Sequence, residues 1–148
     1  MNQDETNPEF NGPEKRDQLY AEWRRYWNTS KPILLEKSPR HMLMTRLLQY
    51  WFSAERSFFV VVLRHPLASI RHAWARSSQG DCGSYALRTW FLLHEILFDD
   101  LKLIKNSVVV HYERFALGNA EGIRYNNHVH VSQRSIFIVN AHHASICR

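Results

Sequence analysis

The chain has 148 residues, of which 45% are hydrophobic and 13% aromatic, so it can bury one modest core and is expected to form a single domain. Its formal net charge of +5 favours anionic partners, although an excess of this size is also ordinary for soluble proteins. The two cysteines, Cys82 and Cys147, are too few for a disulfide framework or a zinc site, and no apolar run reaches the roughly 18 residues of a membrane helix.

The N-terminal part predicts a flexible lead followed by a helix. Residues 1–13 are rich in Asn, Asp, Glu, Pro and Gly and cannot bury enough apolar surface to order themselves. They are also too polar for a signal peptide, so we expect a soluble chain without a membrane segment. From Glu14 to Trp27, apolar residues recur at spacings of three and four, which predicts an amphipathic helix.

Two short apolar runs then predict neighbouring elements of a parallel sheet. Ile33–Leu35 reads as a buried strand, and Ser38 followed by a proline predicts the start of a helix that ends near Phe52. Phe58–Leu63 is apolar at both odd and even positions, so this strand must be covered on both faces. Two such strands joined by a helix make a right-handed βαβ unit.

The second half continues the same alternation and then loses it. A helix is predicted from Pro66 to about Arg76, a longer one from Tyr85 to Ile104, and a third strand at Val108–Val110. In the remainder, residues 119–148, Ser135–Val139 could form a strand but no helical pattern follows. We therefore expect an α/β domain at residues 14–118 and a divergent tail of uncertain structure.

Charged and hydroxyl side chains follow the predicted strands. Lys37 could reach a ligand held at the strand ends and stabilise charge on a transferring group, while Glu36 is either a general base or a structural partner of Lys37. Arg64, directly after the second strand, is suited to grip a phosphate bidentately. Ser69 lies on the first turns of the next helix and could add a hydroxyl contact.

Two other kinds of ligand are disfavoured by the sequence. His128, His130 and the pair His142–His143 lack carboxylate or cysteine companions at ligand spacing, so no metal is expected. Nucleic acid is not expected either, because aromatic residues such as Trp90 fall on the predicted buried stripe of a helix rather than among exposed basic residues.

Four segments in this order resemble the sulfotransferase family, whose members use 3′-phosphoadenosine 5′-phosphosulfate. The resemblance covers Trp23 to Phe115 and is greatest to the branch that acts on carbohydrates or protein tyrosines. The segments are Glu36-Lys37-Ser38-Pro39, the helix end Arg46–Phe52, Leu63-Arg64-His65-Pro66, and Val110–Phe115.

The resemblance implies a P-loop-like αβα sandwich with a short parallel sheet, here incomplete. It implies that Arg64 binds the 3′-phosphate of the cosubstrate and that Lys37 approaches the sulfuryl group as it moves to a hydroxyl of a carbohydrate or protein tyrosine acceptor. Full-length members of this branch often reside in the Golgi, but the sequence does not indicate where this chain is located.

The chain departs from the family pattern at two places. The family usually has a serine eight residues after the phosphate-binding arginine, where this chain has His72. Residues 1–32 contain one glycine, Gly12, and lack the Gly-, Ser- and Thr-rich loop that would cradle the 5′-phosphosulfate. We therefore expect this chain to be inactive alone. The alternatives are a non-catalytic anion- or nucleotide-binding remnant and a fragment of a P-loop kinase-like protein.

Overall fold

A computed structural model describes residues 5–74, 82–118, 123–125 and 134–140 of the chain. Its helices and strands are, in chain order, α1 (Pro13–Arg24), β1 (Ile33–Lys37), a 3-10 helix (Pro39–Leu43), α2 (Thr45–Phe52), β2 (Ser57–Leu63), α3 (Pro66–Trp74), α4 (Cys82–Leu101), β3 (Ser107–His111), α5 (Tyr112–Ala116), β4 (Ile123–Tyr125) and β5 (Arg134–Asn140).

The five strands form one sheet with the order β1-β5-β2-β3-β4. The first four of these strands are mutually parallel, and β4 runs antiparallel to β3 at the edge. Helices connect the parallel strands β1, β2 and β3, so the predicted α/β class is confirmed.

The position of β5 is the main addition to the predicted fold. The sequence predicted a possible strand at Ser135–Val139, and this strand is confirmed, but it forms the middle of the sheet rather than an appendage. It pairs with β1 on one side and with β2 on the other, so the two strands of the predicted βαβ unit are not neighbours. The sheet thus includes residues of the predicted tail.

The core lies on one side of this sheet. Phe59 and Phe137 are register partners in parallel strands, so their side chains point to the same face, and their rings stack with centroids 5.2 Å apart. The ring centroid of Trp23, from α1, lies 5.9 Å from that of Phe137. The helical residues that join this cluster come from α1, α2, α4 and the 3-10 helix, and the buried members of the cluster are Met42, Leu48, Phe59, Val61, Leu93, Leu97, Ile104 and Phe137.

The opposite face is covered unevenly. Phe58 of β2 is buried there, as predicted, whereas Leu35 of β1 is 51% exposed. Within the described ranges, every helix that contributes to the core cluster packs on the other face. The predicted second helical layer of an αβα sandwich is therefore not confirmed.

The single helix predicted from Pro39 to Phe52 is divided in two. Its start is as predicted, because the Ser38 hydroxyl accepts a hydrogen bond from the Arg40 backbone N–H at 3.4 Å. At Met44 the backbone leaves the helical region, with φ at −139°, and α2 begins at Thr45. The buried Thr45 hydroxyl donates to Asp100 Oδ2 at 2.6 Å, which ties the start of α2 to the end of α4.

The longest helix begins and ends three residues earlier than predicted. α4 spans Cys82–Leu101 rather than Tyr85–Ile104. Ile104 is buried in the core although it lies beyond the helix, and its backbone N–H donates to the Asp100 carbonyl at 3.0 Å. The helix was predicted to reach Ile104 because this residue continues the apolar spacing. In the structure the turn after α4 brings Ile104 back to the same core.

The substitution Phe137→Ala should destabilise the domain by about 3–5 kcal/mol, because it leaves a cavity between Phe59 and Trp23 in the centre of the core. Urea unfolding followed by tryptophan fluorescence measures this change. Phe115→Ala, at a side chain that is 58% exposed, is the matched control and should cost less than about 1 kcal/mol. Equal losses in the two variants would show that β5 does not occupy the centre of the sheet.

Candidate functional site

The carboxyl ends of the parallel strands lie at one edge of the sheet, which we call the carboxyl edge. β1 ends there at Lys37, β2 at Leu63 and β3 at His111. Open α/β sheets bind ligands outside this edge, because loops and helix N-termini converge there. The candidate site is therefore built from the residues that follow these strand ends.

Lys37 and Glu36 occupy successive positions at the end of β1 and point to opposite faces of the sheet. Glu36 is the register partner of Phe137 and so faces the core side, where it is half-buried, whereas Lys37 is exposed. Burial raises the pKa of Glu36, and a hydrogen bond from the Lys37 backbone N–H opposes part of this rise. The structure places Glu36 as a partly desolvated carboxyl and Lys37 as a solvated cation.

Lys37 and Arg64 share the carboxyl edge but are not adjacent. Lys37 is the register partner of Ile138 of β5, and Ile138 is in turn the register partner of Val60 of β2. Arg64 follows Val60 by four residues. Its backbone therefore lies about 10 Å from that of Lys37 across the sheet and about 13 Å further along the strand direction. β5 lies between the two strands. A ligand that touched both cations would have to extend over the end of β5.

Arg64 is half-buried immediately after β2. Its guanidinium carbon lies 5.0 Å from the centre of the Tyr112 ring, a cation–π contact. Among the described residues it forms no ion pair and no hydrogen bond, and its Nε atom is closed to water without a partner. The Glu113 carboxylate acts on the guanidinium through its charge and not through a hydrogen bond, so the guanidinium keeps hydrogen-bond donors for an anion.

A cavity of about 330 Å³ opens beside Arg64. One wall is formed by the segment 63–66 after β2, and a second by residues 111, 113 and 114 after β3. The third wall comes from three side chains of α4, Trp90, His94 and Phe98, which recur every four residues on one side of the helix. The cavity therefore combines charged groups near the strand ends with an aromatic wall.

The single acidic residue in the lining, Glu113, is already engaged. Its Oε1 accepts a hydrogen bond from the His65 backbone N–H at 2.9 Å. Burial raises the pKa of Glu113, but hydrogen bonds from the backbone N–H groups of His65 and Glu113, together with the charges of Arg64 and His65, lower it by more. Glu113 thus holds the loop after β2 in place as a carboxylate.

Ser69 lies inside α3 rather than in the cavity. It is buried, and its hydroxyl donates to the His65 carbonyl at 3.3 Å. His65 also accepts the Leu67 backbone N–H at its Nδ1, 3.2 Å away, so part of the start of α3 is capped internally. The Ser69 hydroxyl proton is therefore already used and is not free to make the predicted contact to a phosphate. The side chain of His72 lies outside the described residues.

The aromatic wall was not predicted as part of a site. The periodicity places Trp90, and His94 four residues later, on the predicted buried stripe of this helix, and Trp90 is half-buried and His94 buried in the structure. A histidine on an apolar helical face is the one signal that could have separated these positions from ordinary core residues. The periodicity alone cannot distinguish a helix face that fills a core from one that lines a cavity.

A second cavity, of about 570 Å³, lies at the opposite edge of the sheet. It is lined by residues that precede β1 and β2, including Lys31 and Arg56, and by aromatic side chains such as Tyr20 and Trp51. None of the predicted site residues lines it. In an α/β sheet the amino ends of the strands are not the usual ligand edge, so we assign the site to the carboxyl edge.

Glu36→Gln should raise the thermal stability of the protein at pH 7, because the partly buried carboxylate would no longer have to be charged in the folded state. Because the pKa of Glu36 is raised in the folded state, ionisation of this carboxyl opposes folding at any pH above its ordinary pKa. The stability gained in Glu36→Gln should therefore disappear below about pH 4, where the carboxyl is protonated in both the folded and the unfolded state. Differential scanning calorimetry between pH 3.5 and 7 measures this.

Glu55→Gln is the control of opposite sign, since a hydrogen bond and the charge of Lys105 lower the pKa of Glu55. It should lower stability slightly or leave it unchanged at pH 7. A gain in both variants would point to a general effect of net charge.

No family model matches the chain, and neither does any curated protein or solved structure. The described ranges contain no group of three or more His, Cys, Asp or Glu residues that could hold a metal ion. His128, His130, His142 and His143, at which no metal was expected, lie outside these ranges. No helix among the described residues is long and apolar enough to cross a membrane. The site therefore has to be interpreted from its own geometry.

Proposed function

We propose that the chain is a sulfotransferase-like α/β domain that binds the 3′-phosphate of 3′-phosphoadenosine 5′-phosphosulfate through Arg64. The observation that carries this proposal is the unpaired guanidinium at the carboxyl end of β2, held at the mouth of a cavity by the Tyr112 ring. In the sulfotransferase reaction, the hydroxyl oxygen of the acceptor attacks the sulfur atom, the S–O bond to adenosine 3′,5′-bisphosphate breaks, and the hydroxyl proton passes to a base.

The charges near Arg64 support an anionic ligand. Arg114 lines the same cavity from the segment after β3, and the Glu113 carboxylate accepts the His65 backbone N–H. A phosphate bound here would meet cationic donors on two walls, and such charge-assisted hydrogen bonds are about twice as strong as neutral ones. A neutral ligand would leave the guanidinium without this compensation.

Binding, rather than turnover, is the function that we propose for this chain by itself. The catalytic role of Lys37 requires its ammonium to approach the sulfuryl group, yet Lys37 is exposed and does not line the cavity. The 5′-phosphosulfate loop expected of the family is missing from the sequence before β1. This arrangement also favours the alternative of a non-catalytic nucleotide-binding module, which would retain the Arg64 contact alone.

Adenosine 3′,5′-bisphosphate should bind more tightly than adenosine 5′-phosphate in isothermal titration calorimetry, because the second ligand lacks the phosphate that Arg64 is proposed to hold. Arg64→Ala should weaken binding of the bisphosphate by about 10- to 100-fold, the range for loss of a charge-assisted contact. It should leave the affinity for adenosine 5′-phosphate unchanged.

Arg56→Ala is the matched control, since Arg56 is an exposed arginine that lines the cavity at the other edge of the sheet. It removes the same charge and should not affect binding. Equal affinities for the two nucleotides, or equal losses in the two variants, would reduce the interaction to general electrostatic attraction and refute the proposal. Circular dichroism of each variant checks that the fold is retained.

A further inference from the structure

Buried polar atoms without a hydrogen-bond partner gather in the walls of the Arg64 cavity. Seven such side-chain atoms occur among the described residues, and three of them, Arg64 Nε, Trp90 Nε1 and His94 Nε2, belong to residues that line this cavity. Leaving a buried donor or acceptor unsatisfied is unfavourable, and native structures contain few of them. Three in one place indicate a site whose ligand supplies the missing hydrogen bonds.

His94 presents a hydrogen-bond acceptor. Its Nδ1 lies 2.6 Å from the Trp90 carbonyl, and a carbonyl can only accept, so Nδ1 carries the proton. Burial lowers the pKa of His94, and the Trp90 carbonyl opposes part of this change, so the ring is neutral near pH 7. In that tautomer the partnerless Nε2 has a lone pair and no hydrogen.

Trp90 presents a donor next to this acceptor. The two rings stack with centroids 3.6 Å apart and planes inclined by 22°, so they form one aromatic surface. The indole Nε1 can only donate, whereas the His94 Nε2 can only accept. A hydroxyl group is the simplest ligand that satisfies both, because its single oxygen accepts one hydrogen bond and donates another.

The walls around this pair favour an aromatic carrier for the hydroxyl. Leu63, Pro66 and Phe98 contribute apolar surface, and the Trp90–His94 stack adds a flat face. A sugar would bring several hydroxyls into a wall that offers two unsatisfied groups, and each unpaired hydroxyl would be desolvated at a cost. An aromatic ring with one hydroxyl matches both the surface and the number of hydrogen bonds.

We propose that this cavity binds a phenol-class ligand whose hydroxyl donates to His94 Nε2 and accepts from Trp90 Nε1. This proposal rests on the proposed function at one point only, the identification of the phenol as the acceptor of the sulfuryl group. Binding of the phenol itself needs no nucleotide.

Entry of the ligand requires one side chain to move. The two ring nitrogens expose less than 1 Å² each, so they are closed to water. Phe98 has its ring centroid 6.1 Å from that of His94 and is itself 45% exposed. Rotation of this ring toward solvent would open a path to the imidazole, so Phe98→Ala should increase the rate at which the ligand binds, while the loss of its apolar surface should weaken the affinity.

Three small probes separate the two hydrogen bonds in the full chain. p-Cresol can donate and accept, 4-methylanisole can only accept, and toluene can do neither. ¹H–¹⁵N NMR titrations that follow the Trp90 indole signal should rank them in that order, with about a fivefold loss of affinity for each missing hydrogen bond. Methyl glucoside tests the sugar, and N-acetyltyrosinamide tests whether a peptide-borne phenol binds better than the free one.

Conservative variants assign each hydrogen bond to its residue. Trp90→Phe, in which binding is followed by the backbone amide signals of α4 because the indole signal is lost, should weaken the binding of p-cresol and of 4-methylanisole by a similar factor. His94→Phe should weaken the binding of p-cresol alone. Trp51→Phe is the matched control, because the Trp51 Nε1 is also buried without a partner but lies in the other cavity. It should leave all affinities unchanged.

Equal affinities of the unmodified chain for p-cresol and toluene would overturn the proposal without reference to any variant, as would tighter binding of methyl glucoside than of p-cresol. Binding of adenosine 3′,5′-bisphosphate without discrimination between p-cresol and toluene would leave the nucleotide site standing and remove this one. The reverse result would keep the phenol site and remove the nucleotide site.

Discussion

The pairing of β5 between β1 and β2 is the constraint on which the rest of this structure depends. Without it, β1 would have no partner in the described sheet, because each of its register contacts is made to β5. Phe137 then brings an aromatic ring from the tail into contact with Phe59 of β2 and Trp23 of α1. One strand thereby joins the first helix, the sheet and the core.

The same strand sets the distances at the carboxyl edge. By separating β1 from β2 it moves Lys37 away from Arg64 and leaves the cavity to be built by β2, β3 and α4. The chemistry of the site accordingly comes from residues that follow these two strands and from one face of a helix. An anion at Arg64 and a phenol at His94 would lie in one cavity.

Much of the fold could be predicted because its signals are local. The apolar run Phe58–Leu63 and the Ser38–Pro39 start each depend on a few adjacent residues, and both predictions are confirmed. The break at Met44 and the position of β5 depend on partners far along the chain, such as Asp100, and local patterns do not contain them. The site shows the same division: Arg64 was marked by its strand, whereas His94 became conspicuous only through its unsatisfied nitrogen.

The order in which the strands are made has a consequence for how the protein reaches its native state. Leu35 is paired with Ile136, roughly a hundred residues later in the chain, so this part of the sheet cannot form until residues 134–140 have been synthesised. Until then the backbone N–H and C=O groups of β1 and β2 that pair with β5 have no partner, and such strand edges can pair with other chains. Closing so long a loop is slow, so the edges of β1 and β2 stay exposed to other chains until β5 pairs with them.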